Sequence, residues 1–155
     1  MSRPYAVGFS NVSISAVQDL FGIYAGSVKA FEVHSFVIGQ ITAVSVGNLR
    51  IRGLILPATV TPGSGGTTPA LSPISIDQTA ATITAHANDT SQATTGGTAR
   101  LIHSDAYNVV NGYQWVWPVS DRPVIEPSQA FILSLDTAPS PGQVTNASII
   151  VAELF

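Results

Sequence analysis

The chain has 155 residues with a net charge of −3, and 10% of them are charged, against about 25% in an ordinary soluble domain. Lys29 is the single lysine and the five arginines are scattered, so no basic footprint exists for a phosphate backbone and nucleic acid is not expected as a partner. There is no cysteine, which removes disulfides, thiolate nucleophiles, iron–sulfur clusters and cysteine zinc sites together and leaves stability to packing.

The length suits one domain over residues 1–155. No apolar run reaches the roughly 18 residues of a membrane helix, and MSRPYAVGFS lacks a basic region followed by an apolar stretch. Neither a membrane span nor ordinary secretion is therefore expected. A chain so poor in charge either stays in solution on its Ser, Thr, Asn and Gln or hides apolar surface against copies of itself and partners. The second is favoured, because burial is worth about 25 cal/mol per Å2.

In chain order, Tyr5 to Ile14 carries enough aromatic and β-branched residues for a first strand, and residues 1–16 are a candidate contact arm. Gln18 to Ala25 predicts a second strand with Phe21, Ile23 and Ala25 on one face, a short helix being the competing reading. Lys29 to Gln40 predicts a long strand with Phe31, Val33, Ser35 and Val37 opposed to Glu32, His34, Phe36 and Ile38. Both rows are largely apolar, so a central strand covered on both faces is expected. Val44 to Thr59 reads as another strand, with Leu49 and Ile51 opposed to Asn48, Arg50 and Arg52. The Gly, Pro, Ser and Thr of residues 60–73 make an exposed loop, either a contact arm or a mobile segment.

Ala80 to Ala87 alternates as a strand and residues 88–97 form a second polar loop. From Arg100 the alternation sets Leu101, His103 and Asp105 against Arg100, Ile102 and Ser104. Asn111-Gly112 then predicts a hairpin turn, since φ > 0 costs little there. Tyr113, Trp115 and Trp117 share a face by the period of two until Pro118 stops the ladder. These three, with Tyr5 and Phe9 of the first strand, are the candidate interface or stacking residues. Phe131, Leu133 and Leu135 form an inward row. Asn146 to Phe155 predicts a final strand laid into the middle of a sheet, where its apolar IIV run escapes a free edge. Many strands, Gly/Pro-rich turns and almost no helix indicate an all-β sandwich or jelly roll.

Little here points to catalysis. His34, His86 and His103 show no H-x-H or H-E-x-x-H spacing and read as strand histidines bonded to neighbours, so no metal or other cofactor is expected. No G-x-S-x-G is present, and GSGG lacks the Lys-Ser/Thr and helix of a phosphate loop. The row Tyr113, Trp115 and Trp117 suits core, interface or a sugar-stacking platform. No enzyme is expected.

The segments SAVQDLFGIYAGSVKAFEVHSFVIGQ, LRIRGLILPATVTPGSGGTTPALSP, TAHANDTSQATTGGT and SDAYNVVNGYQWVWPVSDRPVIEPSQAFILSLDTAPSPGQVTNASIIVAEL together resemble the jelly-roll capsid decoration, or cement, proteins of tailed bacteriophages. The resemblance runs over nearly the whole chain in order. It implies a jelly-roll β-sandwich, a homotrimer, a place on the outer capsid surface of the virion, and a role in bracing major capsid protein subunits. A head-fibre or receptor- or carbohydrate-binding jelly-roll module is the alternative.

Overall fold

The computed structural model describes residues 2–41 and 47–155. Among them the chain runs through β1 (Ser2–Ile14), β2 (Gln18–Tyr24), β3 (Phe31–Gln40), β4 (Asn48–Leu56), β5 (Ser72–Pro73), β6 (Thr84–Asp89), β7 (Arg100–Asn108), β8 (Tyr113–Val116), β9 (Val124–Ile125), β10 (Ala130–Leu135) and β11 (Gln143–Leu154). The one helical turn among these residues is a 3-10 turn at Val119–Asp121, after Pro118. Residues 44–46 of the strand expected from Val44 lie outside the described residues.

All pairings are antiparallel, and they make two sheets that face each other as a β-sandwich. One sheet has the order β5-β1-β11-β3-β8, with β9 continuing beside β3. The other has the order β6-β2-β10-β4-β7. β11 lies in the middle of its sheet, between β1 and β3, as its apolar run predicts. Between the sheets Phe21, Phe31, Ile51, Phe131, Leu133 and Ile149 are fully buried in one continuous core. The inward row of Phe131, Leu133 and Leu135 is as expected.

Three expectations change. β3 is covered on one face only. A register shift opposite Ile150 and Val151 inserts one residue at His34 and Ser35, so Phe31 and Val33 point inward and, past the bulge, so do Phe36 and Ile38. Both apolar rows are thereby gathered onto the core side, and Val37 is left exposed on the outside. The turn at Asn111-Gly112 also closes no hairpin. Gly112 has φ of 69°, as such a turn needs, but β7 pairs with β4 while β8 pairs with β3, so the turn carries the chain from one sheet to the other. Residues 2–14, part of the expected contact arm, run as β1, in line with the strand expected from Tyr5 to Ile14.

The third change concerns the two polar loops. They pair with each other through bridges at Thr61 and Thr94, Ser64 and Ser91, and Thr67 and Ala87. The resulting ribbon lies over the outer face of the five-stranded sheet. There Tyr24, Leu56, Ala130 and Ile132 form a second buried cluster against Leu54, Val60 and Ala93. Gly63 and Gly66 permit this approach: a Cβ on Gly66 would stand 2.1 Å from the Ala87 carbonyl oxygen, and one on Gly63 would stand 2.6 Å from the Ser91 carbonyl. One sheet therefore wears a cover made from its own chain. The other has none.

Candidate functional site

The sandwich opens along the side where β7 and β8 form neighbouring edges, and the candidate aromatic row sits there. His103 is the hub. Its ring lies 4.5 Å from that of Trp115, 5.9 Å from Tyr113 and 6.0 Å from Trp117, and it meets Phe36 edge-on at 5.7 Å. The Tyr113 hydroxyl is 2.9 Å from His103 Nε2 and donates to Asp105 Oδ2 at 2.9 Å. Burial disfavours the charged form of His103 and lowers its pKa against the opposing pull of Asp105. Desolvation raises the Tyr113 phenol, and the Asp105 carboxylate that accepts its proton raises it further. That same hydrogen bond, with the Ala106 amide, holds the Asp105 carboxyl below the usual range.

Trp117 is buried here and packs edge-on against Phe131. Trp115 is 37% exposed and shows part of its indole to solvent. The two N-terminal candidates lie elsewhere. Tyr5 is fully buried and donates its hydroxyl to the Thr79 carbonyl, while Phe9 packs on Phe21 at 5.3 Å. The structure thus brings Tyr113, Trp115 and Trp117 together around His103; Tyr5 and Phe9 make no ring contact with them, although Phe9 and Tyr113 line one shared concavity. His103 and Asp105 belong with the cluster; alternation puts the two on one face of β7, but the sequence does not show which strand that face meets.

The outer face of the six-stranded sheet is the second candidate surface. Register sets Ala6, Ile150, Ser35 and Val116 in one row across four strands, and Gly8, Ser148, Val37 and Gln114 in the next. Among the described residues this face carries Glu32, His34 and Arg122, which bond to one another. Glu32 Oε1 lies 2.7 Å from His34 Nε2 and accepts from Arg122 at 3.2 Å. At one end a shallow concavity of about 670 Å3 opens between Val37, Gly39, Asn146 and the turn at Asn111-Gly112. Carboxamides and hydroxyls line it, with no carboxylate, histidine, lysine or arginine, so it offers contact and hydrogen bonds without acid–base chemistry.

Three buried carboxylates hold neighbouring segments in place. Asp19 Oδ2 accepts from the Ala93 amide at 2.7 Å and Asp89 Oδ1 from the Gly66 amide at 3.2 Å, which ties both arms of the ribbon to the sheet. Desolvation raises the Asp19 pKa, helped by Asp89 and opposed by Ala93, Ser134 and Gln92. Glu153 accepts from the Thr82 amide, the Thr82 hydroxyl and the Ile83 amide, with Lys29 Nζ at 3.5 Å. Desolvation pushes Glu153 up, but these donors and Lys29 outweigh it and hold the carboxyl below the usual range. No group of three or more His, Cys, Asp or Glu among the described residues is arranged to hold a metal ion. Compared with protein-family models, curated proteins and solved structures, the chain matches none of them.

Proposed function

We propose that the protein is a non-enzymatic virion structural protein, a decoration or cement protein that sits on the outer capsid surface of a tailed bacteriophage and braces neighbouring major capsid protein subunits. The observation that carries this reading is the asymmetry of the two sheets. A chain able to cover one sheet with its own loops leaves the other with a charge-poor face whose rows hold Ala, Gly, Ser, Gln, Val and Ile. Burial of such a face is favourable and needs no reactive group.

The strand order supports the finer reading of the fold as a jelly roll. β1, β11, β3 and β8 follow one another in one sheet and β2, β10, β4 and β7 in the other, with β5 and β6 added at the edges. Two interleaved Greek keys would give this order. Size supports assembly. Four strands about 4.8 Å apart and about eight residues long cover roughly 500 Å2, short of the about 800 Å2 a side of a standard interface. A homotrimer engaging the shell through several such faces makes up the difference by effective concentration.

Binding to purified shells is the test. Wild-type protein is expected at high copy on the outside of particles. Ala6→Asp with Val37→Asp is expected to weaken shell binding at least tenfold while the thermal midpoint stays within a few degrees. A monodisperse monomer absent from virions, or a double variant that binds as well as wild type, would falsify the proposal.

One observation favours a second reading, a receptor- or carbohydrate-binding module: the partly exposed Trp115 ring, 4.5 Å from His103, in a cluster whose Tyr113 hydroxyl meets both His103 and Asp105. Glycan binding lost in Trp115→Ala would support that role. Equal glycan binding by variant and wild type would end it.

A further inference from the structure

β7 ends its sheet, and the edge it turns away from β4 pairs with no strand among the described residues. Such an edge presents a row of backbone donors and acceptors ready for another chain. Their positions follow from the ladder. The Val109 amide donates to the Gly47 carbonyl, so by the period of two Tyr107, Asp105 and His103 turn their amides to β4 while Ala106 and Ser104 turn theirs outward. The Ala106 amide, bonded to its neighbour's Asp105 side chain, agrees with this. At Ile102 the register slips by one, opposite Gly53 and Leu54, and the phase changes, which sets Leu101 outward on the far side of the bulge.

The same bulge decides the side chains. Arg100 lies opposite Ile55 and Asp105 opposite Ile51, both residues of the inter-sheet core, so the two charges share the inner face of the sheet although they are five apart. Leu101 and Ser104 share the outer face, opposite Leu54 and Arg52. Arg100 and Asp105 are both exposed and neither makes an ion pair among the described residues.

We propose that β7 is a self-complementary edge at which two copies of this chain add strand to strand, antiparallel about a two-fold axis between Ile102 and His103. In that register Arg100 of each copy faces Asp105 of the other, and the outward backbone groups of Leu101 face those of Ser104. Inner side chains meet inner and outer meet outer, a match that a strand without the bulge could not make at this spacing. The contact is isologous, so both ion pairs form together. The exposed Leu101 and Trp115 lie beside it and lose water on association. Charge complementarity selects a second copy over an unrelated extended segment. The contact is independent of the capsid reading; in a trimeric decoration protein it would join one trimer to the next.

Sedimentation velocity on charge-reversed variants tests it. Arg100→Asp alone and Asp105→Arg alone each set like charges opposite one another, and each is expected to weaken two-fold self-association at least tenfold. An equimolar mixture of the two, and the protein carrying both changes, are expected to regain it. The cysteine-free background allows an independent check of register. Oxidising a mixture of Leu101→Cys and Ser104→Cys proteins is expected to give a cross-linked pair, whereas Ala106→Cys protein mixed with Ser104→Cys is not. Single variants that associate like wild type, a mixture that fails to recover, or cross-linking at 104 with 106 instead of 101 with 104 overturns the proposal.

Discussion

At the scale of single residues, Glu153 and Asp19 show one chemical group serving as a pin with opposite consequences for pH. The Glu153 pKa is lowered by folding, so its stabilisation is complete above the unfolded glutamate value and is lost as pH falls through the folded one. The Asp19 pKa is raised, so its contribution is complete below the unfolded aspartate value and is lost as pH rises through the folded one. Denaturant unfolding across a pH series separates the two. Glu153→Gln is expected to cost about 1.5–3 kcal/mol near neutrality, where charge-assisted hydrogen bonds are lost, and to flatten the acid limb. Asp19→Asn is expected to gain on wild type as pH rises. Curves parallel to wild type for both variants would remove this account. Neither carboxylate could be singled out from the sequence, since burial is what distinguishes them from the exposed Asp105, and burial here depends on loops more than fifty residues away. The aromatic row was legible because alternation alone puts Tyr113, Trp115 and Trp117 on one face. That His103 would be its hub was not, because β7 and β8 meet across the sandwich rather than in one hairpin.

At the scale of elements, most strands could be read and their phases could not always. β11 follows its apolar pattern along its length, and Phe21 and Ile23 of β2 and Phe131, Leu133 and Leu135 of β10 keep the inward face even though the β2–β10 register slips at Leu20. β3 and β7 each carry a one-residue bulge, and every side chain beyond it changes face. A count by twos has no means of seeing an inserted residue, which is why β3 read as apolar on both sides. The ribbon was hidden for another reason. Its glycines and threonines look like solvent-exposed loop, and only the packed contact beneath reveals that Gly66 has no room for a side chain. Gly66→Ala is accordingly expected to destabilise the protein by about 1–3 kcal/mol through overpacking against the Ala87 carbonyl. Amide exchange at Ser91 and Thr94, which bridge to the same arm, should accelerate with it. Unchanged exchange at both amides would show that the ribbon is not held there.

At the scale of the whole molecule, the outcome is a sandwich with one clothed face, one bare face and one open flank. Composition foresaw surplus apolar surface, and the fold decides where that surplus is placed. Because β11 fills the slot between β1 and β3, residues from Gln143 onward are needed to complete the six-stranded sheet. A chain cut after residue 142 is expected to aggregate rather than form a monomeric sandwich, with light scattering as the measure; a soluble, cooperatively melting fragment would contradict this.

The late position of β11 bears on how the protein is made. β1 and β3 precede β11 in the chain, so until β11 is made the slot between them has no strand to fill it. Each presents raw hydrogen-bonding rims that any other nascent copy can occupy. Rapid expression from a single message, with many translating ribosomes side by side, therefore favours strand exchange between neighbours. A cell producing this protein in bulk would gain from a holding chaperone that masks that slot until β11 is in place.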